Sequence, residues 1–278
     1  MPEMLGFVGK RFRVEKRILK TCVSIGNSTN MRVFNSGAIV TLEGVRCSGE
    51  GHDGCQKLCA IFWHEEWLRK VDDSEPGTQT NPEGAEQLGS RLKTTVDSTK
   101  YSCQASELLK ITSPLSRWER FGRCFAEVRT GNCSVWEMAL RIGIWLYWRA
   151  RRRCLGVYAR GKNRTTPSAA LNLQPGELVE VKPITRITET LDPAAHNRGL
   201  YFTPDMALFC GSRQRVARRL DKIIVDGTGQ MRSLRNTVYL EGAHCGCSHV
   251  AFGGCPRGEF SYWREIWLQR PQPLPPTA

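Results

Sequence analysis

Two stretches, one in each half of the chain, repeat the same unusual pattern. Residues 41–55 read TLEGVRCSGEGHDGC and residues 239–255 read YLEGAHCGCSHVAFGGC. In both, Leu-Glu-Gly is followed by two residues and a cysteine, and a glycine-rich run then leads to another cysteine. Internal repetition constrains a fold more than composition does, because the same unit has to fold twice.

Further blocks recur in the same order. PEMLGFVGKRFRV at 2–14 aligns without a gap with PDMALFCGSRQRV at 204–216, and Met-Arg occurs at 31–32 and at 231–232. FWHEEWL at 62–68 aligns with YWREIWL at 262–268. We infer from these ordered matches that the chain contains an internal duplication.

Each half has the pattern of strands followed by a helix. RFRVEKRIL and RVARRLDKIIV alternate charged and apolar residues imperfectly, and GELVEVK at 176–182 alternates more regularly, which is typical of strands with one buried face. CQKLCAIFWHEEWLRKV at 55–71 and FSYWREIWL at 260–268 predict Trp-rich helices. The predicted fold class is α+β, with two related small β-rich, SH3-like barrel modules, the first incomplete, each followed by a Trp-rich helix.

The remaining segments predict the domain organisation. We expect a first module at 1–72, a polar linker at 73–100, a helical insertion at 101–170, a second module at 171–270 and a disordered Pro-rich tail at 271–278. In the insertion, SVWEMALRIGIWLYWRARRR at 134–153 predicts a helix. Its apolar run at 142–148 is far shorter than the roughly 20 residues that span a bilayer, so no transmembrane segment is expected.

Charge and cysteine content bound the class of protein. Lys and Arg number 40 against 27 Asp and Glu, which gives a formal net charge of +13. Such a surface attracts nucleic acid, acidic carrier proteins, anionic lipids or phosphates, and it also serves solubility alone. The beginning of the sequence lacks the pattern of a signal peptide. We therefore expect a cytoplasmic protein in which clustered cysteines among the twelve serve as metal ligands or redox groups in preference to disulfides.

The repeated cysteines are candidate metal ligands. Soft thiolates and imidazole close together in sequence suit zinc or an iron–sulfur cluster, and the residues leave the choice open. No C-x-x-C pair occurs, which argues against an ordinary zinc knuckle and a thioredoxin-like pair. Four cysteines outside the repeated loops, Cys22, Cys124, Cys133 and Cys154, are interpreted as small buried apolar residues. The predicted metal ligands are Cys47, His52, Cys55, Cys59 and Cys103 at a first site, and Cys210, Cys245 and Cys255 at a second.

Several segments also resemble a family. CSGEGHDGCQKLCAIFWHEEWL, YSCQASEL, PGELVEVK, NRGLYFTPDM and CPRGEFSYWREIWL resemble a family of uncharacterised cysteine-rich bacterial proteins, sometimes encoded among biosynthetic genes. The resemblance covers most of the chain outside 73–100 and 149–170. It implies a bacterial, biosynthetic setting and no particular activity.

Two functional hypotheses follow. In the first, the chain is a metal-dependent biosynthetic enzyme, an oxidoreductase or electron-transfer component that acts on a small-molecule substrate or with an acidic carrier or redox partner. In the second, it is a basic small-barrel binding module with structural zinc that binds nucleic acid or an acidic carrier. Motifs for nucleotide loops, Rossmann folds, zincins and α/β-hydrolases are absent.

Overall fold

The computed structural model describes residues 1–25, 28–72 and 82–271. Its helices are α1 (Pro2–Leu5), α2 (Pro82–Arg91), α3 (Gln104–Ile111), α4 (Arg117–Arg129), α5 (Val135–Leu155) and α6 (Ile184–Thr188), with 3₁₀ turns at Glu50–His52, Glu65–Trp67, Pro204–Phe209 and Glu265–Trp267. Its strands are β1 (Val14–Arg17), β2 (Thr21–Ile25), β3 (Ser28–Phe34), β4 (Ile39–Leu42), β5 (Trp63–His64), β6 (Thr112–Pro114), β7 (Leu178–Val181), β8 (His196–Asn197), β9 (Leu200–Tyr201), β10 (Arg213–Arg219), β11 (Lys222–Ile224), β12 (Met231–Ser233), β13 (Thr237–Leu240), β14 (Trp263–Arg264) and β15 (Leu268–Gln269).

The strands form several small antiparallel sheets, so the fold is mixed α+β. In the first half, β1, β4 and β5 form one sheet, and β2, β3 and β6 form another. In the second half, five strands pair in the order β14-β13-β10-β7-β15, and β11 and β12 form a separate hairpin. Within the described ranges the structure does not show a closed barrel.

The strand register of the first half recurs in the second. β1 pairs with β4 as β10 pairs with β13, and both pairings have an irregularity at the same place. β4 then pairs with β5 as β13 pairs with β14. The corresponding pairs are Val14–Leu42 and Val216–Leu240, Arg17–Val40 and Arg219–Val238, Val40–Trp63 and Val238–Trp263, and the isolated bridges Arg46–Ala60 and His244–Phe260.

The loops that follow these strands share their backbone conformation. Positive φ angles occur at residues 44, 49, 53, 54 and 58 and again at their counterparts 242, 247, 253, 254 and 258. Such angles are uncommon outside glycine. Leu58 and Cys247 nevertheless have positive φ angles, and the residues at the corresponding positions of the other half are Gly258 and Gly49. The two cysteine loops therefore follow the same path although their sequences differ.

Each half has its own core around an equivalent tryptophan. In the second half Trp263 and Trp267 are fully buried among Val179, Val216 and Val238. A smaller cluster in the first half contains Val40, Leu42, Ile61 and Trp63. β-branched side chains and large rings on one face of each short sheet exclude water from it. These cores hold the cysteine loops at their edges.

Sequence signals fix both ends of the longest helix. Ser134 Oγ accepts a hydrogen bond from the backbone amide of Glu137 at 3.2 Å, and the Glu137 carboxylate accepts one from the backbone amide of Ser134 at 2.7 Å. This reciprocal pair satisfies amides that the first helical turn leaves unbonded. Gly156, with a φ of 72°, follows the last residue of α5. The helix therefore ends directly after its run of arginines.

Two sequence expectations need correction or qualification. The prediction of Trp-rich helices is wrong, because each segment forms a two-residue strand followed by a 3₁₀ turn. A short apolar run fits the periodicity of a strand as well as that of a helix, and pairing with β4 or β13 favours the strand.

The predicted linker contains α2. Residues 73–81 of the linker and residues 272–278 of the predicted tail lie outside the described residues. No helix in the described ranges combines the length and apolar character needed to cross a membrane.

Candidate metal centres

The first cysteine loop is closed by its own backbone. The amide of Cys47 donates to the carbonyl oxygen of Cys59 at 2.9 Å, and the amide of Cys55 donates to that of His52 at 3.2 Å. Gly49 has a φ of 78°, and a Cβ atom there would overlap the carbonyl oxygen of Cys55. Only glycine fits such a position. The close approach of the loop to itself therefore depends on Gly49.

Four thiols line one small cavity beside this loop. Cys47, Cys55 and Cys59 come from the loop, and Cys103 comes from the N-cap position of α3. The cavity has a volume of about 20 Å³. A water molecule needs roughly 10–15 Å³ by the same measure. The cavity thus has room for about one small ligand, and it is lined by other side chains as well, Met1, Leu58 and Gln104 among them.

Burial raises the pKa of three of these thiols, Cys47, Cys59 and Cys103, and so makes them hard to ionise without a cation. It raises the pKa of Cys59 to about 12, and it raises the pKa of Cys103 as well. At Cys47, burial raises the pKa well above its ordinary value, and the nearby carboxylate of Glu3 adds to the effect. A bound divalent cation reverses this balance, because it supplies the positive charge that a buried thiolate lacks.

His52 lies beside the first cavity but is already bonded at both ring nitrogens. Its Nδ1 lies 2.6 Å from Glu3 Oε1, and its Nε2 lies 3.0 Å from the carbonyl oxygen of Ser102. Atoms of Glu3, Cys47 and His52 lie within 4.8 Å of one another, a spacing that a metal ion could bridge. A carbonyl oxygen only accepts, so Nε2 carries a hydrogen there and has no lone pair for a metal. His52 orients Glu3 and Ser102 in this arrangement.

A second group of thiols gathers beside the second loop. Cys245 Sγ lies 3.0 Å from Cys247 Sγ. Cys22, Cys247 and Cys255 belong to one buried cluster, against which Cys245 packs. All four are free thiols, as are the other eight cysteines. We call Cys22, Cys245, Cys247 and Cys255 the second cluster, and Cys47, Cys55, Cys59 and Cys103 the first cluster.

The thiols of the second cluster share their protons unequally. Hydrogen bonds with Cys22 and Cys247 hold the pKa of Cys255 well below its ordinary value, whereas hydrogen bonding to Cys22, Cys245 and Cys255 raises that of Cys247. At Cys22 the bond with Cys247 lowers the pKa, but the bond with Cys255 and burial outweigh it and raise the pKa to about 12. Metal binding displaces thiol protons, so a cation bound here would take the place of the protons that these cysteines share.

The two halves exchange hairpins across these clusters. β11 lies on the first loop, where the amide of Ile224 donates to Cys55 Sγ at 3.3 Å. β2 lies on the second loop, where Arg257 donates to the carbonyl oxygen of Cys22 at 3.0 Å. Cys22 pairs with Met31 as Ile224 pairs with Met231, so Cys22 and Ile224 are counterparts. Each cluster therefore forms where the loop of one half meets the hairpin of the other.

A buried network of four charged groups lies between the two loops. Asp226 accepts from Lys57 and, at 2.9 Å, from Arg257, and these two cations occupy corresponding positions in the two halves. Glu259, the counterpart of Cys59, lies 2.7 Å from Arg257 and 3.6 Å from Lys57. Two cations and two anions make the network neutral. We call Lys57, Asp226, Arg257 and Glu259 the buried quartet.

The second cluster borders a large cleft, and the first does not. Cys22, Cys245, Cys247 and Cys255 contribute to the wall of a space of about 1040 Å³, together with the C-terminal turns of α5. His249 lines the same cleft, and its Nδ1 lies 3.1 Å from Asp205 Oδ2. Its Nε2 has no protein partner in the part of the chain that the structure describes. The histidine is thus oriented by Asp205 at the wall of the cleft.

The structure brings together most, but not all, of the predicted ligands. The expected set of Cys47, Cys55, Cys59 and Cys103 lines one cavity. Cys245 packs against the buried cluster that contains Cys255, but Cys210 packs against the main core of the second half. Cys22 and Cys247 belong to the same buried cluster as Cys255. Cys22, interpreted from the sequence as a packing residue, is indeed buried among apolar side chains, and its alignment with Ile224 corresponds to its place beside the second loop.

Comparisons of the chain with protein families, with curated proteins and with solved structures gave no match. Function is therefore argued from the arrangement of the described residues.

Proposed function

We propose that this protein is a thiolate metalloprotein that holds one zinc ion in each cysteine cluster. The observation that carries the proposal is the convergence of Cys22, Cys245, Cys247 and Cys255 from two segments far apart in the chain. Buried free cysteine is common as a packing residue, but four thiols gathered in one buried cluster, two of them 3.0 Å apart, suit a metal-ligand set. The first cluster supports the same conclusion, because four thiols line a cavity of about 20 Å³.

The size of the clusters favours zinc over an iron–sulfur cluster. Zinc–sulfur bonds of about 2.3 Å place neighbouring thiolates of a tetrahedron roughly 3.8 Å apart. The Cys245 and Cys247 sulfurs, at 3.0 Å, need only a small separation to reach that spacing. The thiolates of an iron–sulfur cluster bind different irons, with inorganic sulfide between them. Side chains already in contact would have to move much further to admit such a cluster.

The two centres have different surroundings, which points to different roles. A structural zinc site is closed, with four protein ligands. We assign this role to the first cluster, which lies in a small cavity. The second cluster also has four thiols but faces the cleft, so its zinc holds the wall of a binding site in place. This makes the basic binding module with structural zinc our leading function, while the oxidoreductase role and the biosynthetic setting stay predictions.

We also propose that the two halves descend from one duplicated module. Matching strand registers and matching positive φ angles in the loops support this. In the second half, β14 and β15 lie at opposite edges of the sheet, although only Glu265–Trp267 separates them in the chain. A sheet with this order has to curl toward itself, as in a small SH3-like barrel. The first half, whose described sheet β1-β4-β5 holds no strand corresponding to β7, would be the incomplete version.

Metal analysis of single-cysteine variants tests the proposed function. Protein purified without oxygen should be colourless and should contain two zinc ions per chain. Cys22→Ser and Cys59→Ser should each reduce this to one, because each removes a ligand from a different cluster. Cys210→Ser and Cys154→Ser should retain both, since Cys210 packs in the core and Cys154 is exposed on α5.

Two results would contradict the proposal. A brown protein that contains iron and sulfide would favour the electron-transfer prediction over zinc. Zinc loss in Cys210→Ser but not in Cys22→Ser would show that the second cluster is not assembled as described. Circular dichroism of each variant separates the loss of a ligand from the loss of the fold.

A further inference from the structure

The C-terminal turns of α5 concentrate positive charge on one wall of the cleft. Arg149, Arg151, Arg152 and Arg153 all line it, and Arg232 of β12 joins them. A run of arginines at the end of a helix also complements the helix dipole without any ligand. That alternative explains charge near the last turn, but it does not require the side chains to border a concave space of about 1040 Å³.

The positive charge of this wall has no compensation inside the cleft. Two acidic residues line the cleft, Asp226 and Glu259, and both already pair with Lys57 and Arg257 in the buried quartet. The quartet cancels itself, so the five arginine charges remain. None of the five forms an ion pair with an acid in the described ranges. A concave wall of one sign focuses the field and attracts the opposite charge.

Aromatic rings hold two of these guanidinium groups in place. Arg149 stacks over Trp145, with 5.2 Å from Cζ to the ring centre. Arg151 lies between Trp148 and Tyr158, at 5.4 and 5.0 Å. A stacked arginine loses less side-chain freedom when it binds an anion, and it keeps its N–H groups for hydrogen bonds. The wall is thus partly ordered before a ligand arrives.

We propose that this cleft binds a small molecule that carries phosphate groups. Guanidinium groups match phosphate oxygens with two parallel hydrogen bonds, and several arginines together suit a ligand with more than one negative charge. The volume of the cleft is at the upper end of the range for cofactor-sized ligands. Such a ligand would lie between the arginines of α5 and the second cluster. The inference concerns the cleft and not the metal, so it is independent of the proposed zinc content.

Calorimetric titration of the full-length protein with ADP and with pyrophosphate tests this inference. We expect both probes to bind and the affinity to fall as salt is raised. The double variant Arg152→Gln/Arg153→Gln should weaken ADP binding on the order of 100-fold, about tenfold for each charged hydrogen-bonding group removed. Both side chains are exposed, so their replacement should leave the fold and the zinc content unchanged.

Arg120→Gln/Arg129→Gln is the matched control, because it removes the same charge from exposed positions of α4 that do not line the cleft. It should bind ADP within about twofold of the unmodified protein. Absence of binding by both probes at millimolar concentration would overturn the inference, and so would equal weakening by the two double variants. A single-stranded RNA that binds more tightly than ADP would overturn it in favour of nucleic acid. Zinc analysis of the same samples keeps these outcomes separate from the proposed metal role.

Discussion

Replacing Asp226 with asparagine should destabilise the protein strongly. The side chain is 4 % exposed and accepts hydrogen bonds from both Lys57 and Arg257. Asparagine preserves the shape of the side chain but removes its charge. Two buried cations would then have Glu259 as their one remaining acidic partner among the described residues. The substitution therefore tests whether the two halves are joined through this network.

The expected loss in the free energy of unfolding is about 3 kcal/mol at neutral pH. Removing one partner of a buried ion pair costs roughly 3–5 kcal/mol, and Glu259 retains part of the compensation. Burial alone would raise the pKa of Asp226, but Lys57 and Arg257 outweigh it and hold the pKa below its ordinary value. The stabilisation is therefore complete above the unfolded-state pKa of about 4 and declines as the pH falls below it.

Urea unfolding followed by tryptophan fluorescence measures this loss. Asp221→Asn is the control, because that carboxylate is 54 % exposed and lies 4.0 Å from Arg219. It should cost about 0.5 kcal/mol or less. The difference between Asp226→Asn and the unmodified protein should shrink between pH 5 and pH 3. Equal effects of the two substitutions, or a difference that grows on acidification, would refute the ion-paired quartet.

Three further predictions follow from the repeated positions and the clusters. Acidification should release zinc with uptake of protons, because burial raises the pKa of thiols in the first cluster, and zinc and pH-indicator dyes would show both. Gly49→Ala should lower the melting temperature and the zinc content, because the new Cβ would overlap the backbone of Cys55. Gly44 has a similar φ but free space around it, so Gly44→Ala should lower the free energy of unfolding by about 1 kcal/mol and keep both zinc ions. Glu265→Gln should lower the free energy of unfolding in urea by about 2–3 kcal/mol, because this fully buried carboxylate accepts hydrogen bonds from three backbone amides and from Arg219. Glu65→Gln, at the corresponding position of the first half, should lower it by less than about 1 kcal/mol. Equal losses would contradict the burial of Glu265.

The repeat made much of the first site predictable. Cys47, Cys55 and Cys59 are close in sequence, and Cys103 follows a turn-forming segment, so their convergence needed few assumptions. The predicted helix over 55–71 is nevertheless wrong. The chain forms a loop at Cys55–Cys59, where Leu58 has a φ of 55°. The thiols line one cavity because this loop folds back on itself.

The second site was less predictable, because its fourth thiol comes from the other half. Cys210 belongs to the same half as Cys245 and Cys255 and was predicted to join them. It follows the 3₁₀ turn Pro204–Phe209 and packs against the main core of the second half. The place is taken by Cys22, which reaches the cluster because the two hairpins cross between halves. An exchange of this kind leaves no mark in the spacing of residues along the chain.

Local signals in the sequence determined the elements themselves. The capping pair of Ser134 and Glu137 begins α5, Gly156 follows its end, and glycines mark the positive φ angles of the loops. These choices depend on neighbours a few residues away. The assembly of each cysteine cluster, the buried quartet and the arginine-lined cleft depends on which hairpin packs on which loop. Only tertiary packing decides that, because the contacts that join the two halves link residues far apart in the chain, such as Cys55 and Ile224, which are 169 positions apart.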